Sequence, residues 1–99
     1  MQLKWTDLAV ADLDKIEAYI TEDSSPQVAI DTVLKVIDTV AMILPDHPNA
    51  GRIGRVKDTR ELVMDSIPFT VIYRRVDTSQ IQILRILHDA QQWPIGHQP

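Results

Sequence analysis

The chain contains no cysteine. A disulfide scaffold, a thiolate metal site and a cysteine nucleophile are therefore excluded. Glycine is scarce, with three in 99 residues, and no glycine-rich phosphate loop is present. Gly51-Arg52-Ile53-Gly54 lacks the Lys-Ser/Thr that follows such a loop and does not lie between a strand and a helix. No apolar run approaches the roughly 20 residues of a membrane span. Met1-Gln2-Leu3-Lys4-Trp5 lacks the apolar stretch of a signal peptide, so a soluble cytoplasmic protein with no membrane association is expected. His47, His88 and His97 show no ligand spacing, so neither a metal nor another cofactor is expected.

What remains is ordinary globular composition, 44% hydrophobic and 24% charged. At 99 residues it suits one domain over 1–99, with 89–99 as a C-terminal tail. The net charge is −4, unevenly spread. Residues 1–44 carry three lysines against eight Asp/Glu, a balance of −5, whereas residues 45–99 carry seven Lys/Arg against six Asp/Glu. An acidic surface does not attract nucleic acid, whose binding rests on neutralised phosphates. Direct, specific nucleic-acid binding is not expected. Arg52, Arg55, Lys57 and Arg60 form a local basic cluster that can touch an anion or simply be solvated.

Gln2–Trp5 reads as a short edge strand. Thr6 is a plausible N-cap, and Ala9, Leu13, Ile16 and Ile20 make one face of a helix running to about residue 22. Asp12, Asp14, Lys15 and Glu17 fall largely off that face. Ser25-Pro26 starts a second helix, whose stripe is Ala29, Val33, Val36, Ile37, Val40, Ile43 and Leu44. Pro45 and Pro48 end it, and residues 45–58 read as a loop. Three strands follow, at 60–64, 69–76 and 80–88, joined by short turns. The last is apolar on both faces, which places it inside a sheet. The fold class is α+β, βααβββ, with an antiparallel helix hairpin packed on a small antiparallel sheet.

Arg60, Tyr73, Arg85 and His88 lie near strand ends. Meeting on one sheet face, they would form an anion-binding or acid–base set. The plainer alternative pairs Arg60 and Arg85 with Glu61, Asp65 or Asp89 and seats Tyr73 at the core rim.

Five segments in order, Asp12-Leu13-Asp14-Lys15-Ile16-Glu17-Ala18-Tyr19-Ile20, Pro48-Asn49-Ala50-Gly51-Arg52 with Thr59-Arg60-Glu61-Leu62-Val63, Pro68-Phe69-Thr70-Val71-Ile72-Tyr73-Arg74, Ile83-Leu84-Arg85-Ile86-Leu87-His88 and Gln92-Trp93-Pro94, span nearly the whole chain. Together they resemble the RelE/ParE superfamily of bacterial type II toxins. The resemblance implies a small toxin neutralised by a cognate antitoxin. RelE-like members cut mRNA in the ribosomal A site without a metal; ParE-like members poison DNA gyrase.

Departures from the RNase pattern favour the second branch. Where the RNases carry an arginine on the middle strand, this chain has Thr70. Two lysine positions on the preceding strand fall on Glu61 and Val63, and an arginine beyond the last strand falls on Ala90. The resemblance thus implies a ParE-like, non-hydrolytic inhibitor that binds gyrase. A metal-independent mRNA interferase using Arg85, His88, Tyr73 and Arg60 is one alternative. A degenerate member that only binds antitoxin is another. Expected target contacts are Arg60, Arg85, His88 and Trp93. Expected antitoxin contacts are Arg52, Arg55, Lys57, Arg60 and Trp93.

Overall fold

The computed structural model describes residues 1–89. The expected tail therefore lies, except for Asp89, outside the described residues, as do Ala90, Trp93 and Pro94.

The elements are β1 (Gln2–Trp5), α1 (Asp7–Asp23), α2 (Pro26–Ile43), β2 (Arg52–Ile53), β3 (Arg60–Val63), β4 (Phe69–Arg75) and β5 (Gln80–His88). Both helices start as their sequences require. The Thr6 hydroxyl accepts the Ala9 N–H at 3.2 Å. The Ser25 hydroxyl accepts the Val28 N–H at 3.2 Å, and Pro26 takes the first turn, where no N–H partner is needed. The helices pack on each other, and α1 lies on β5. The core between helices and sheet includes Ala9, Leu13, Val36, Val40, Leu44, Val71, Tyr73, Ile81, Ile83 and Ile86.

The sheet is five-stranded, in the order β1-β5-β4-β3-β2. It differs from the sequence expectation in two ways. First, residues 45–58 are not all loop: Arg52–Ile53 pairs antiparallel with Arg60 and Glu61. Two residues are too short for a period-2 pattern to be read. Second, the sheet is mixed, because β1 runs parallel to β5. Parallel neighbours need a long crossover, and everything between residues 5 and 80 supplies one. β5 is interior, flanked by β1 and β4, as its two-sided apolar pattern requires.

A bulge interrupts the β4–β5 ladder. Ile72 pairs with Arg85 while Tyr73 pairs with Ile83, leaving Leu84 as the extra residue. Just there β1 has ended and α1 begins. Thr6 bridges the junction: its hydroxyl reaches the carbonyls of Ile83 and Leu84 at 2.8 and 3.2 Å.

Candidate functional site

The four residues expected to form an acid–base set are dispersed into three unrelated settings. Arg60 and Tyr73 are direct neighbours across β3 and β4, and both hold the same loop glycine. Arg60 Nη1 donates to the Gly51 carbonyl at 2.8 Å. The Gly51 N–H donates to the Tyr73 hydroxyl at 2.9 Å, and that hydroxyl donates to the Pro48 carbonyl at 2.8 Å. A Cβ at Gly51 would stand 2.8 Å from Tyr73 Cε1, so the close approach requires glycine. Burial pushes the Tyr73 hydroxyl above the usual tyrosine pKa, opposed by the Gly51 N–H and the Arg60 charge. Tyr73 is fully buried in the core rather than placed at its rim.

Arg85 has a different partner. Its Nε and Nη2 fork onto the two Asp12 carboxylate oxygens at 2.7 and 2.9 Å. The same carboxylate accepts the Ile86 N–H at 2.9 Å. Asp12 thus takes the ladder position that β1 no longer fills and neutralises Arg85 as well. Hydrogen bonding to Asp12 raises the Arg85 pKa, against an opposing desolvation effect. This corrects both readings of the sequence: Asp12 is 5% exposed and not on the wet side, and the carboxylate facing Arg85 is not Glu61, Asp65 or Asp89. A signal was present, since Asp12 lies three residues after Ala9 and four before Ile16, on the apolar stripe itself.

His88 sits at the far end of β5, its ring edge-on to Phe69 at 5.5 Å. Its ladder partner Phe69 is four residues from Tyr73. That is roughly 13 Å along the strand at about 3.3 Å per residue.

The sheet face turned away from the helices carries Glu61, Val63, Thr70, Ile72 and Leu87 by alternation with the core residues. These residues line a hollow of about 230 Å³ with Arg52, Arg55, His88 and Asp89. Several of its polar groups are bonded to one another. Arg52 donates Nε to Glu61 Oε1 at 3.0 Å, and the Arg55 N–H reaches Glu61 Oε2 at 3.2 Å. The Thr70 hydroxyl donates to Asp89 Oδ1 at 2.8 Å. Two carboxylates offset the cations here, so the face is not a phosphate cradle.

The expected antitoxin cluster also divides. Arg52 and Arg55 flank Glu61, Lys57 is exposed in a turn, and Arg60 joins Arg74 and Arg75 around a separate groove. Sequence reasoning missed Asp12, Arg74 and Arg75. Arg74 closes the Pro68–Arg74 segment without being given a role there and Arg75 lies just beyond it; only the register brings them beside Arg60. Among the described residues no group of three or more His, Cys, Asp or Glu is placed to hold a metal, and no helix is long and apolar enough to cross a membrane.

The family model described as "ParE toxin of type II toxin-antitoxin system, parDE" matches residues 3–93. The chain belongs to the ParE toxin family. Relatives agree with that membership. "Putative toxin Y4kP" of Sinorhizobium fredii (strain NBRC 101917 / NGR234) is 41% identical over 93 residues, covering 94% of this chain and 93% of its own. A solved structure titled "Chromosomal ParDE TA system from P. aeruginosa" superposes with a TM-score of 0.82 at 37% identity, covering 89% of this chain and 95% of that one. The RelE/ParE resemblance read from the sequence is thereby established in its ParE branch, and with it the α+β arrangement of two helices on the sheet. Within this ParE toxin, the Asp12–Arg85 pair joins α1 to β5 and the Tyr73–Gly51 clasp joins the loop to the sheet.

Proposed function

We propose that this ParE-type toxin acts in the cytoplasm by binding DNA gyrase without hydrolytic chemistry, and that a cognate antitoxin neutralises it. Membership of the ParE family over residues 3–93 is the observation that carries the reading. The geometry supports the non-hydrolytic part. Metal-free RNA cleavage needs a base, an acid and cations converging on one phosphate. Here Arg85 is forked onto Asp12, Tyr73 holds the loop, and His88 lies at the other end of the strand. Glu61 and Thr70 occupy positions where the RNase branch places cations. The antitoxin part is supported by the similarity to the ParDE system of P. aeruginosa.

The test uses purified, antitoxin-free protein in gyrase supercoiling and cleavage-complex assays, with primer extension on translated mRNA alongside. Trapped gyrase–DNA complexes with intact mRNA are expected. Codon-positioned mRNA cuts with unaffected gyrase would overturn the reading in favour of an interferase.

A further inference from the structure

Two sets of arginines differ in their pairing. Arg52 and Arg85 are ion-paired to the buried carboxylates Glu61 and Asp12. Arg60, Arg74 and Arg75 are not ion-paired to any carboxylate among the described residues. They converge on one open groove of about 570 Å³, lined also by Ile53, Asp58 and Val76. Each of the three guanidiniums is oriented by a neutral acceptor. Arg60 donates to the Gly51 carbonyl, Arg74 to the Gln82 side-chain oxygen at 2.8 Å, and Arg75 to the Asp77 carbonyl at 3.4 Å. These contacts aim the charges and leave them uncancelled, with Asp58 as the one acid in the lining. Ile53 is 80% exposed and Val76 is 44% exposed, so the cations are flanked by apolar side chains facing water. The groove adjoins β2, the edge strand of the sheet, whose outer side is unpaired among the described residues.

We infer that this groove is a docking site for an extended acidic segment of a partner protein, with carboxylates on Arg60, Arg74 and Arg75 and an aliphatic side chain between Ile53 and Val76. A planar guanidinium donates two parallel hydrogen bonds to a carboxylate. An exposed edge strand can take an extended peptide through its main chain. A polyphosphate fits less well. Exposed isoleucine and valine have no partner in a phosphate backbone. A duplex extending past the groove also meets a molecule of net charge −4, whose residues 1–44 balance to −5. In the toxin reading the antitoxin is the protein that supplies the segment, and that clause alone rests on the reading; the groove's chemistry does not.

The test titrates the antitoxin-free protein with a fluorescein-labelled peptide of alternating glutamate and leucine. An equally long lysine–leucine peptide and an oligothymidylate are run beside it. Anisotropy gives affinity, and amide NMR shifts give location. The glutamate peptide alone is expected to bind, shifting Ile53, Asp58, Arg60, Arg74, Arg75 and Val76. The paired substitution Arg74→Gln and Arg75→Gln is expected to weaken it about tenfold or more, and raising salt should weaken it as well. Arg60 is left intact because it also holds Gly51, and an unchanged amide spectrum elsewhere shows that the variant is folded. The inference is overturned by absence of glutamate-peptide binding, by shifts mapping elsewhere, by an affinity indifferent to the two substitutions, or by tighter binding of the oligothymidylate. Gyrase assays on the same sample report separately on the toxin reading, so either can fail alone.

Discussion

At the scale of single residues, the most consequential side chain is a carboxylate that the helix stripe hides among apolar positions. Asp12 serves three donors, two from Arg85 and one from the Ile86 backbone. Asp12→Ala removes the acceptor of two Arg85 hydrogen bonds and of the buried Ile86 N–H. Breaking such a pair costs about 3–5 kcal/mol, a large share of the stability of a domain of this size. Asp12→Asn keeps one acceptor oxygen for the Ile86 N–H and Arg85 Nε but loses the charge and turns an NH2 donor toward Arg85 Nη2, so a loss smaller than that of Asp12→Ala is expected. Replacing both partners, Asp12→Leu with Arg85→Met, should recover much of the loss, because no charge is then stranded. Urea unfolding of the wild type, Asp12→Ala, Asp12→Asn, the single variants Asp12→Leu and Arg85→Met, and the double variant decides this. A full loss in the double variant equal to the sum of the singles would show that the two residues act separately.

Among elements, legibility in the sequence follows the length of the repeating pattern. Both helices and β3, β4 and β5 could be read because several turns or alternations, bounded by Thr6, Ser25-Pro26 and the turns at 65–68 and 77–79, point to the same answer. β2 was not legible: its partner residues are set by the return of β3 and not by its own two side chains. The parallel pairing of β1 was hidden for a similar reason, since its partner lies some 80 residues away in sequence. The site was less legible still. Residue types gave Arg60, Tyr73, Arg85 and His88, but which of them meet depends on register and on the Leu84 bulge. The start of the loop between α2 and β3 is tied to the sheet by two bonds of the Tyr73 hydroxyl. Tyr73→Phe removes both bonds and leaves the buried Gly51 N–H unsatisfied, for a loss of about 1–3 kcal/mol. Its pH dependence has a definite sign. Because the folded-state pKa lies above the unfolded one, the contribution is complete below the unfolded tyrosine pKa of about 10 and is lost as pH rises through the folded value. Stability curves from pH 8 to 12 should therefore fall more steeply at the alkaline end for the wild type than for Tyr73→Phe. Parallel curves would remove Tyr73 from the account.

Over the whole molecule, charge is unevenly spread. The helical half balances to −5, while three arginines without carboxylate partners gather at one end of the sheet. This arrangement steers proteins differently from nucleic acids. A partner with a short acidic segment can meet the basic end and avoid the helices, whereas duplex DNA presents charge at about one per 1.7 Å and extends well beyond any three side chains. If the proposed function holds, inhibition of gyrase should accordingly depend on contact with the enzyme and not on holding DNA by itself. In a mobility-shift measurement at physiological salt, the free protein is expected to leave a 30-base-pair duplex unretarded at about 10 μM, a concentration at which the tighter non-specific binders, with dissociation constants of about 1 μM, are largely bound. The same preparation is expected to inhibit supercoiling. Retardation of the bare duplex, lost on raising salt, would mean that the basic end outweighs the acidic helices. The contact responsible for inhibition would then have to be sought on the DNA that gyrase holds.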